Sequence, residues 1–95
     1  MKADIYILDD DALFRDEVIH ILEQEGYSVN GFDRISSLKC TLQVRLPSVV
    51  LLDIQLPDGN GVEVLREIVS LRPHPEVVMV SGAASLQEAA DSMKI

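Results

Sequence analysis

The stretch VVLLDIQLPDGNG, residues 49–61, decides the fold. Its first four residues are apolar, which is typical of a strand that is covered on both faces of a parallel sheet. The strand runs into Asp53, and Pro57, Gly59 and Gly61 follow at the short spacing that predicts a turn. Because burial disfavours a charged carboxylate, an aspartate fixed at the end of such a strand calls for a functional explanation.

Apolar strands and helical patterns alternate along the rest of the chain. IYIL (5–8) and VVMV (77–80) are further buried strands, and YSVNGF (27–32) is a weaker strand that suits a sheet edge. The order βαβαβαβα predicts an α/β fold, a doubly wound parallel sheet. The apolar stripes of the four helices are Phe14, Val18, Ile21 and Leu22; Ile35, Leu38 and Leu42; Val64, Leu65, Ile68 and Val69; and Leu86, Ala89, Ala90 and Met93.

Composition limits the kinds of protein that this chain can be. Its 95 residues suffice for one small domain, and 47% hydrophobic with 25% charged residues is globular rather than disordered. The net charge of −8 argues against direct contact with nucleic acid or with an anionic membrane. Cys40 is the only cysteine, so no internal disulfide is possible and a reducing compartment is indicated. We expect no signal peptide, because the apolar run before the first acids is short, and no membrane span, because no apolar run reaches about 18 residues. We therefore expect a cytoplasmic protein.

Acidic residues follow two of the predicted strands. Asp9, Asp10 and Asp11 follow the first strand, and Asp53 follows the third, while Ser81 comes directly after the fourth. Ligands of open parallel sheets bind at the carboxyl ends of the strands, where the strand order reverses. With the order 2-1-3-4, that point lies between the first and third strands. We therefore expect three of these aspartates to converge there: Asp9, Asp10 and Asp53.

Each acid also has a purely structural interpretation. Asp11 is best explained as the cap of the first helix, and Asp9 or Asp10 alone could have that role. Asp53 alone could be a turn residue. Three converging carboxylates are harder to explain in this way, because two like charges about 4 Å apart repel by about 4 kcal/mol at an effective dielectric constant near 20. Such a cluster takes up protons or binds a cation. A site that offers a small number of oxygen ligands and leaves room for water favours Mg²⁺.

Three motifs together resemble the receiver domain of two-component response regulators. They are LDDD (8–11) after the first strand, LLDIQLPDGNG (51–61) after the third, and MVSGAAS (79–85) after the fourth. The resemblance covers the whole chain in order and spacing. It implies a flavodoxin-like sheet of strand order 2-1-3-4-5.

The resemblance also implies a role for each site residue. Asp53 would be the phosphoacceptor, taking a phosphoryl group from a sensor histidine kinase or a phosphotransfer protein in a phosphorelay. Asp10 and Asp53 would bind Mg²⁺ directly, the backbone carbonyl of Gln55 would be a further ligand, and Asp9 would act mainly through water. Ser81 would be the switch residue that contacts the phosphoryl group. The remaining assignments are hydrolysis tuning by Gln55 and Ala83, and loop shaping by Pro57, Gly59 and Gly61.

The chain departs from the family pattern at its end. The family places a lysine and an aromatic switch residue on a fifth strand, and Lys94 lies in the predicted fourth helix and does not match that lysine. We therefore interpret residues 1–95 as a receiver domain that is incomplete at its C-terminus, without the fifth strand and fifth helix. An output domain, one that could bind DNA in transcription regulation, would lie outside this chain. The strand VVMV (77–80) would then be an edge open to self-association.

Other functions explain the acids less well. A haloacid-dehalogenase-like phosphatase needs a second aspartate where Gln55 stands, and a flavodoxin-like flavin carrier needs a Ser/Thr/Gly-rich phosphate loop where the chain has three aspartates. A receiver-like interaction module without phosphotransfer remains the alternative. We expect a signalling domain and not an enzyme.

Overall fold

Four parallel strands form the central sheet of the protein, whose computed structural model describes residues 3–80. The sheet has the order β2-β1-β3-β6, so the predicted doubly wound arrangement is confirmed. No helix within residues 3–80 is long and apolar enough to cross a bilayer. The predicted fourth helix lies outside the described residues. The elements are β1 (Asp4–Leu8), α1 (Ala12–Gln24), β2 (Ser28–Phe32), α2 (Ile35–Val44), β3 (Val49–Asp53), β4 (Gln55–Leu56), β5 (Gly59–Asn60), α3 (Gly61–Val69) and β6 (Glu76–Val80).

The register of the sheet brings the ends of β1 and β3 to the same level. Leu8 is the Cα partner of Leu52, and both strands then continue into an aspartate. On the other side of β3, Asp53 itself is the partner of Val80 in β6. Asp9 and Asp53 therefore lie side by side at the carboxyl edge of the sheet, where the direction of the strand order reverses.

The main core lies between the sheet and the two helices α2 and α3. Alternate residues of β1 and β3 point to this face, as the two-residue period of a strand requires. Ile5 and Ile7 are buried on the opposite face of β1, and α1 packs against β1 and β2. The predicted buried positions of α2 and α3 are confirmed at Ile35, Leu38, Val64 and Ile68. The core cluster consists of Tyr6, Leu8, Ile35, Leu38, Val50, Leu52, Val64 and Ile68.

The predicted apolar stripes of α1 and α3 are partly wrong. Phe14 is buried, but Ile21 is 57% exposed. The packed face of α1 is rotated towards Ile19, whose Cδ1 atom would lie 2.9 Å from a Cβ atom on Gly31 of β2. Gly31 therefore leaves room for the side chain of Ile19, whereas Ile21 lies on a different side of α1. On α3, the last residue of the predicted stripe, Val69, is 38% exposed.

The turn-forming stretch after Asp53 folds into a small hairpin that the sequence pattern did not predict. Strands β4 and β5 are antiparallel, with Gln55 opposite Asn60, and Pro57 and Asp58 form the connecting turn. The prolines and glycines indicated a turn, but strands of two residues are too short to give a periodic signal. The hairpin connects the end of β3 directly to the start of α3.

Two glycines, one in β5 and one at the start of α3, are explained by close approaches of other atoms. A Cβ atom on Gly61 would overlap the backbone carbonyl oxygen of Asp53. The Gly61 N–H donates to the carbonyl of Ile54 at 2.7 Å, which closes the loop behind the aspartate. A Cβ atom on Gly59 would lie 2.8 Å from the Cδ1 atom of Ile35 in α2. A larger residue at either position would displace the hairpin or the backbone beside Asp53.

Candidate metal centre

Three carboxylates meet at the carboxyl edge of the sheet. Asp9, Asp10 and Asp53 each place one carboxylate oxygen such that all three atoms lie within 4.8 Å of one another. Asp9 and Asp53 are buried, at 2% and 8% exposure, whereas Asp10 is exposed. The site is thus an acidic pair set into the sheet edge, with a third carboxylate open to solvent.

Hydrogen bonds fix Asp9 on several sides. Its N–H donates to the carbonyl of Phe32 at 3.0 Å, which extends the β1–β2 pairing by one step. Its own carbonyl accepts from Nη1 of Arg15 at 2.7 Å, and its Oδ1 atom accepts from the N–H of Asp11 at 2.9 Å. One oxygen of the Asp9 carboxylate is therefore already engaged by the backbone.

Asp11 caps α1, as the sequence predicted. Its Oδ1 atom accepts a hydrogen bond from the N–H of Phe14 at 3.1 Å. Because the cap position is filled by Asp11, the alternative interpretation of Asp9 or Asp10 as the helix cap is wrong. Both of those aspartates lie before the cap, in the segment that leads from β1 to α1.

Burial raises the pKa of the Asp9 carboxyl above its ordinary value of 3.8. The nearby charges of Asp10 and Asp11 raise this pKa further, whereas the hydrogen bond from the Asp11 N–H and the charge of Arg15 lower it. The protein thus disfavours the ionised form of Asp9 despite two compensating contacts. A cation placed among the three carboxylates would oppose this effect.

The raised pKa of Asp9 leads to a prediction about stability and pH. Between pH 3.8 and the pKa of the folded state, the folded protein binds more protons at Asp9 than the unfolded chain does. The contribution of Asp9 to stability therefore falls as the pH rises through this window and stays low above it. Asp9→Asn keeps an oxygen for the Asp11 N–H and removes this loss.

We expect metal-free Asp9→Asn to have a higher urea midpoint than the parent at pH 7, with the difference vanishing below pH 3.8. Asp16→Asn, which removes an exposed carboxylate from α1, is the matched control and should change the midpoint little. An Asp9→Asn variant that is less stable than the parent at pH 7 in EDTA would contradict the prediction.

The acidic group fits a small divalent cation. Oxygen ligands of Mg²⁺ lie about 2.1 Å from the ion, so two ligands on opposite sides of it are about 4.2 Å apart. The three carboxylate oxygens lie within 4.8 Å of one another, which is compatible with that span. All three donors are carboxylate oxygens, which are the ligands that Mg²⁺ prefers over nitrogen or sulfur. Asp9, Asp10 and Asp53 could therefore hold such an ion together.

Asp58, which the sequence reasoning did not single out, connects this region to α2. Its carboxylate accepts hydrogen bonds from the N–H of Ile35 at 3.0 Å and from that of Ser36 at 3.2 Å. These bonds, the one from Ile35 foremost, hold the pKa of Asp58 below its ordinary value. The signal available in the sequence was Arg34, which precedes α2 and offers no side-chain cap of its own.

The remaining predicted site residues are Gln55, which the structure describes, and two residues beyond Val80, which it does not. Gln55 begins β4, two residues after Asp53. Val80, the Cα partner of Asp53, is the last described residue. Ser81 and Ala83 lie outside the described residues, so their predicted roles stay predictions.

The family of the chain follows from its match to a family model. The model of the response regulator receiver domain matches residues 5–95. The chain belongs to this family. It is therefore a signalling domain of two-component systems, and the parallel sheet described above is the fold of this receiver domain.

Individual relatives agree with this assignment. The chain is 28% identical over 91 residues to the photosynthetic apparatus regulatory protein RegA of Rhodobacter capsulatus. This match covers 96% of the chain and 50% of RegA. Among solved structures, a CheY-like receiver domain protein from Methanospirillum hungatei matches with a TM-score of 0.81 and 34% identity, over 99% of this chain and 75% of that one. The MaeR response regulator bound to beryllium trifluoride matches with a TM-score of 0.78 and 27% identity, over 100% and 79% of the two chains. The chain thus spans half of the length of RegA.

Proposed function

We propose that this receiver domain is a phosphorylation-dependent switch that accepts a phosphoryl group on Asp53 from a sensor histidine kinase or a phosphotransfer protein. The observation that carries the proposal is the convergence of Asp9, Asp10 and Asp53 within 4.8 Å at the carboxyl edge of the sheet. The MaeR relative bound to beryllium trifluoride, a mimic of a phosphoryl group, supports it. The phosphorylated domain would change conformation and so control an output domain or a partner protein.

Asp53 is suited to act as the nucleophile. One of its carboxylate oxygens would attack phosphorus, the phosphorus–nitrogen bond to the donor histidine would break, and the ring nitrogen would keep the electron pair. The backbone of β3 and the Gly61–Ile54 hydrogen bond hold Asp53 in place. Phosphoryl transfer depends on such positioning and on charge neutralisation more than on covalent assistance. The chemistry of the domain would be limited to gaining and losing this group.

Mg²⁺ is the cofactor that we propose for the site. Asp10, Asp53 and the backbone carbonyl of Gln55 would hold it directly, and Asp9 mainly through water. The bond from the Asp11 N–H to Oδ1 of Asp9 supports an indirect role for Asp9, because this oxygen is already engaged. When bound, Mg²⁺ neutralises the negative charges of the carboxylates and of the incoming phosphoryl group.

Phosphorylation of the complete receiver domain by a small donor tests the proposed function. We expect acetyl phosphate with Mg²⁺ to add the mass of one phosphoryl group, and EDTA to prevent the addition. An interaction module without phosphotransfer, the alternative function, would show no added mass under either condition. Acetyl phosphate acts without a kinase, so this experiment separates the chemistry of the site from recognition of a partner protein.

Ser81 is proposed as the switch residue. Its hydroxyl would bond to a phosphoryl oxygen and report the presence of the group without accepting it. We expect Ser81→Ala to be phosphorylated at nearly the parent rate but to lose most of the phosphorylation-induced amide shifts in residues after Val80. NMR spectra of both proteins before and after phosphorylation would show this. Unchanged shifts in the variant would exclude Ser81 as the switch.

The lifetime of the phosphoryl group gives a further prediction. We propose that Gln55 orients a hydrolytic water and that Ala83 is too small to shield the site, so that the phosphorylated domain decays over minutes. A Gln55→Ala, Ala83→Arg double variant should lose the group more slowly, as measured by intact mass over time. Equal or faster loss in the double variant would contradict these assignments.

The cellular setting that we propose follows from the family. The partners would be a cytoplasmic kinase or phosphotransfer protein and an output domain, one that could bind DNA, and neither nucleic acid nor membrane would contact residues 1–95 directly.

Self-association through residues 77–80 also stays a prediction. Sedimentation of the chain, beside a variant with Val78→Lys in β6, would test it, because a charge on the strand should weaken edge pairing.

A further inference from the structure

A hydrogen-bonded link joins the turn of the β4–β5 hairpin to the first turn of α2. The two carboxylate oxygens of Asp58 accept one backbone N–H each, from Ile35 at 3.0 Å and from Ser36 at 3.2 Å. The two elements also touch beside this link, since Gly59 leaves no room for a Cβ atom against Cδ1 of Ile35. The residues that meet are 23 and 22 positions apart in the sequence, so this contact fixes the hairpin to a distant element.

Helix α2 depends on this link because it has no cap of its own. Arg34 has the extended backbone of an N-cap residue, with φ −138° and ψ 148°, but its side chain makes no capping hydrogen bond. The first N–H groups of a helix have no partner within the helix, and here Asp58 supplies partners for two of them. Ile35, the first residue of α2, is buried in the main core, so the anchored end of α2 is well fixed.

The hairpin depends on the link as well. Its start is joined to Asp53 through Ile54, and its end is closed by the bond from the Gly61 N–H to the Ile54 carbonyl. The side chain of Asn60 accepts from the N–H of Val62 and so caps α3 locally. Asp58 at the turn, in contrast, bonds to a different element. It therefore restrains the end of the hairpin that is farthest from its two covalent attachments.

We propose that Asp58 is a positioning residue that holds the β4–β5 hairpin, and through it the backbone of Gln55, in place for metal binding at the acidic group. The inference rests on the proposed function, in which the Gln55 carbonyl is a metal ligand. Cutting the link would let the hairpin move relative to Asp53. Residues that orient a ligand from behind typically contribute about tenfold or more to metal affinity.

Two substitutions separate this role from simple capping of α2. Asp58→Ala removes the link and the cap together. Arg34→Ser gives α2 a local cap, because serine is among the preferred N-cap residues. In the double variant Asp58→Ala, Arg34→Ser, α2 is therefore capped, but the hairpin no longer bonds to α2. Arg34→Ser alone is the matched control, and we expect it to bind Mg²⁺ as the parent does.

The experiment measures Mg²⁺ affinity by calorimetry and the unfolding midpoint in urea for the 95-residue chain and the three variants. We expect Asp58→Ala to lose both stability and Mg²⁺ affinity. The double variant should recover most of the stability and still bind Mg²⁺ about tenfold more weakly than the parent. If the double variant recovers the parent's affinity, Asp58 is only a helix cap and the proposal is overturned.

Amide hydrogen exchange distinguishes a failure of this inference from a failure of the proposed function. We expect the Gly61 amide, which is bonded to Ile54, to exchange faster in the metal-free double variant than in the parent. If the parent binds no Mg²⁺ but this amide exchanges faster in the double variant, the proposed function fails and Asp58 still positions the hairpin. Unchanged exchange at Gly61 would overturn the positioning role whatever the metal does.

Discussion

Replacing Asp53 with asparagine should abolish phosphorylation of this domain by acetyl phosphate in the presence of Mg²⁺. The physical reason is that an amide oxygen is a poor nucleophile, and the substitution also removes one of the three carboxylates that would hold the ion. Asparagine matches aspartate in size, so the end of β3 and the hairpin behind it should keep their structure. Intact mass after incubation with the donor measures the effect, which we expect to be complete.

A matched substitution controls for the loss of negative charge. Asp16→Asn removes an exposed carboxylate of α1, outside the acidic group, and should be phosphorylated as fast as the parent. The midpoints of urea unfolding show whether Asp53→Asn remains folded. A folded Asp53→Asn protein that gains the same mass as the parent would place the phosphoacceptor elsewhere.

Replacing Asp10 with asparagine should weaken Mg²⁺ binding by about tenfold or more, which corresponds to about 1.4 kcal/mol of binding free energy or more. Asp10 is the exposed member of the acidic group, so its carboxylate can meet an ion from solvent without burial of its own. Asp9→Asn should weaken binding less, because Asp9 would act mainly through water. Calorimetric titration with Mg²⁺ measures both variants, and an Asp10→Asn protein that binds as tightly as the parent would refute this assignment.

The same substitution should change stability in opposite directions with and without the ion. In EDTA, Asp10→Asn relieves repulsion among three carboxylates that lie within 4.8 Å, so the variant should be slightly more stable than the parent. In excess Mg²⁺, the parent gains more stability, because a ligand that binds the folded state stabilises it according to its affinity. The variant should therefore have the higher urea midpoint in EDTA and the parent the higher midpoint in excess Mg²⁺. The same difference in midpoint between the two proteins under both conditions would show that Asp10 does not take part in metal binding.

The sheet and the acidic group could be predicted from the sequence because both depend on local patterns. The runs in β1, β3 and β6 are continuous and apolar, as strands covered on both faces must be. Once the strands are parallel, their carboxyl ends share one edge, so Asp9 and Asp53 come together whatever the details of the helices. The resemblance to receiver domains then supplied the roles that spacing alone left open.

The features that the sequence did not reveal depend on contacts between distant residues. Asp58 caps α2 from 23 positions away, and although Arg34 signals that α2 lacks a local cap, no pattern in the sequence shows where the partner lies. The exposure of Ile21 was also not visible in the sequence, because apolar spacing alone does not show that Ile19, and not Ile21, lies against Gly31 of β2. Tertiary packing decided both features, and helical periodicity was too coarse to show them.

The most direct test of the account is to locate the phosphoryl group within the chain. Borohydride reduces an acyl phosphate to an alcohol and so leaves a stable mark on the residue that carried the group. After incubation with acetyl phosphate and Mg²⁺, peptide mapping of the reduced protein should find the mark on Asp53 alone, and EDTA should eliminate it. A mark on another residue, or equal marking of Asp53 without a divalent cation, would contradict the account.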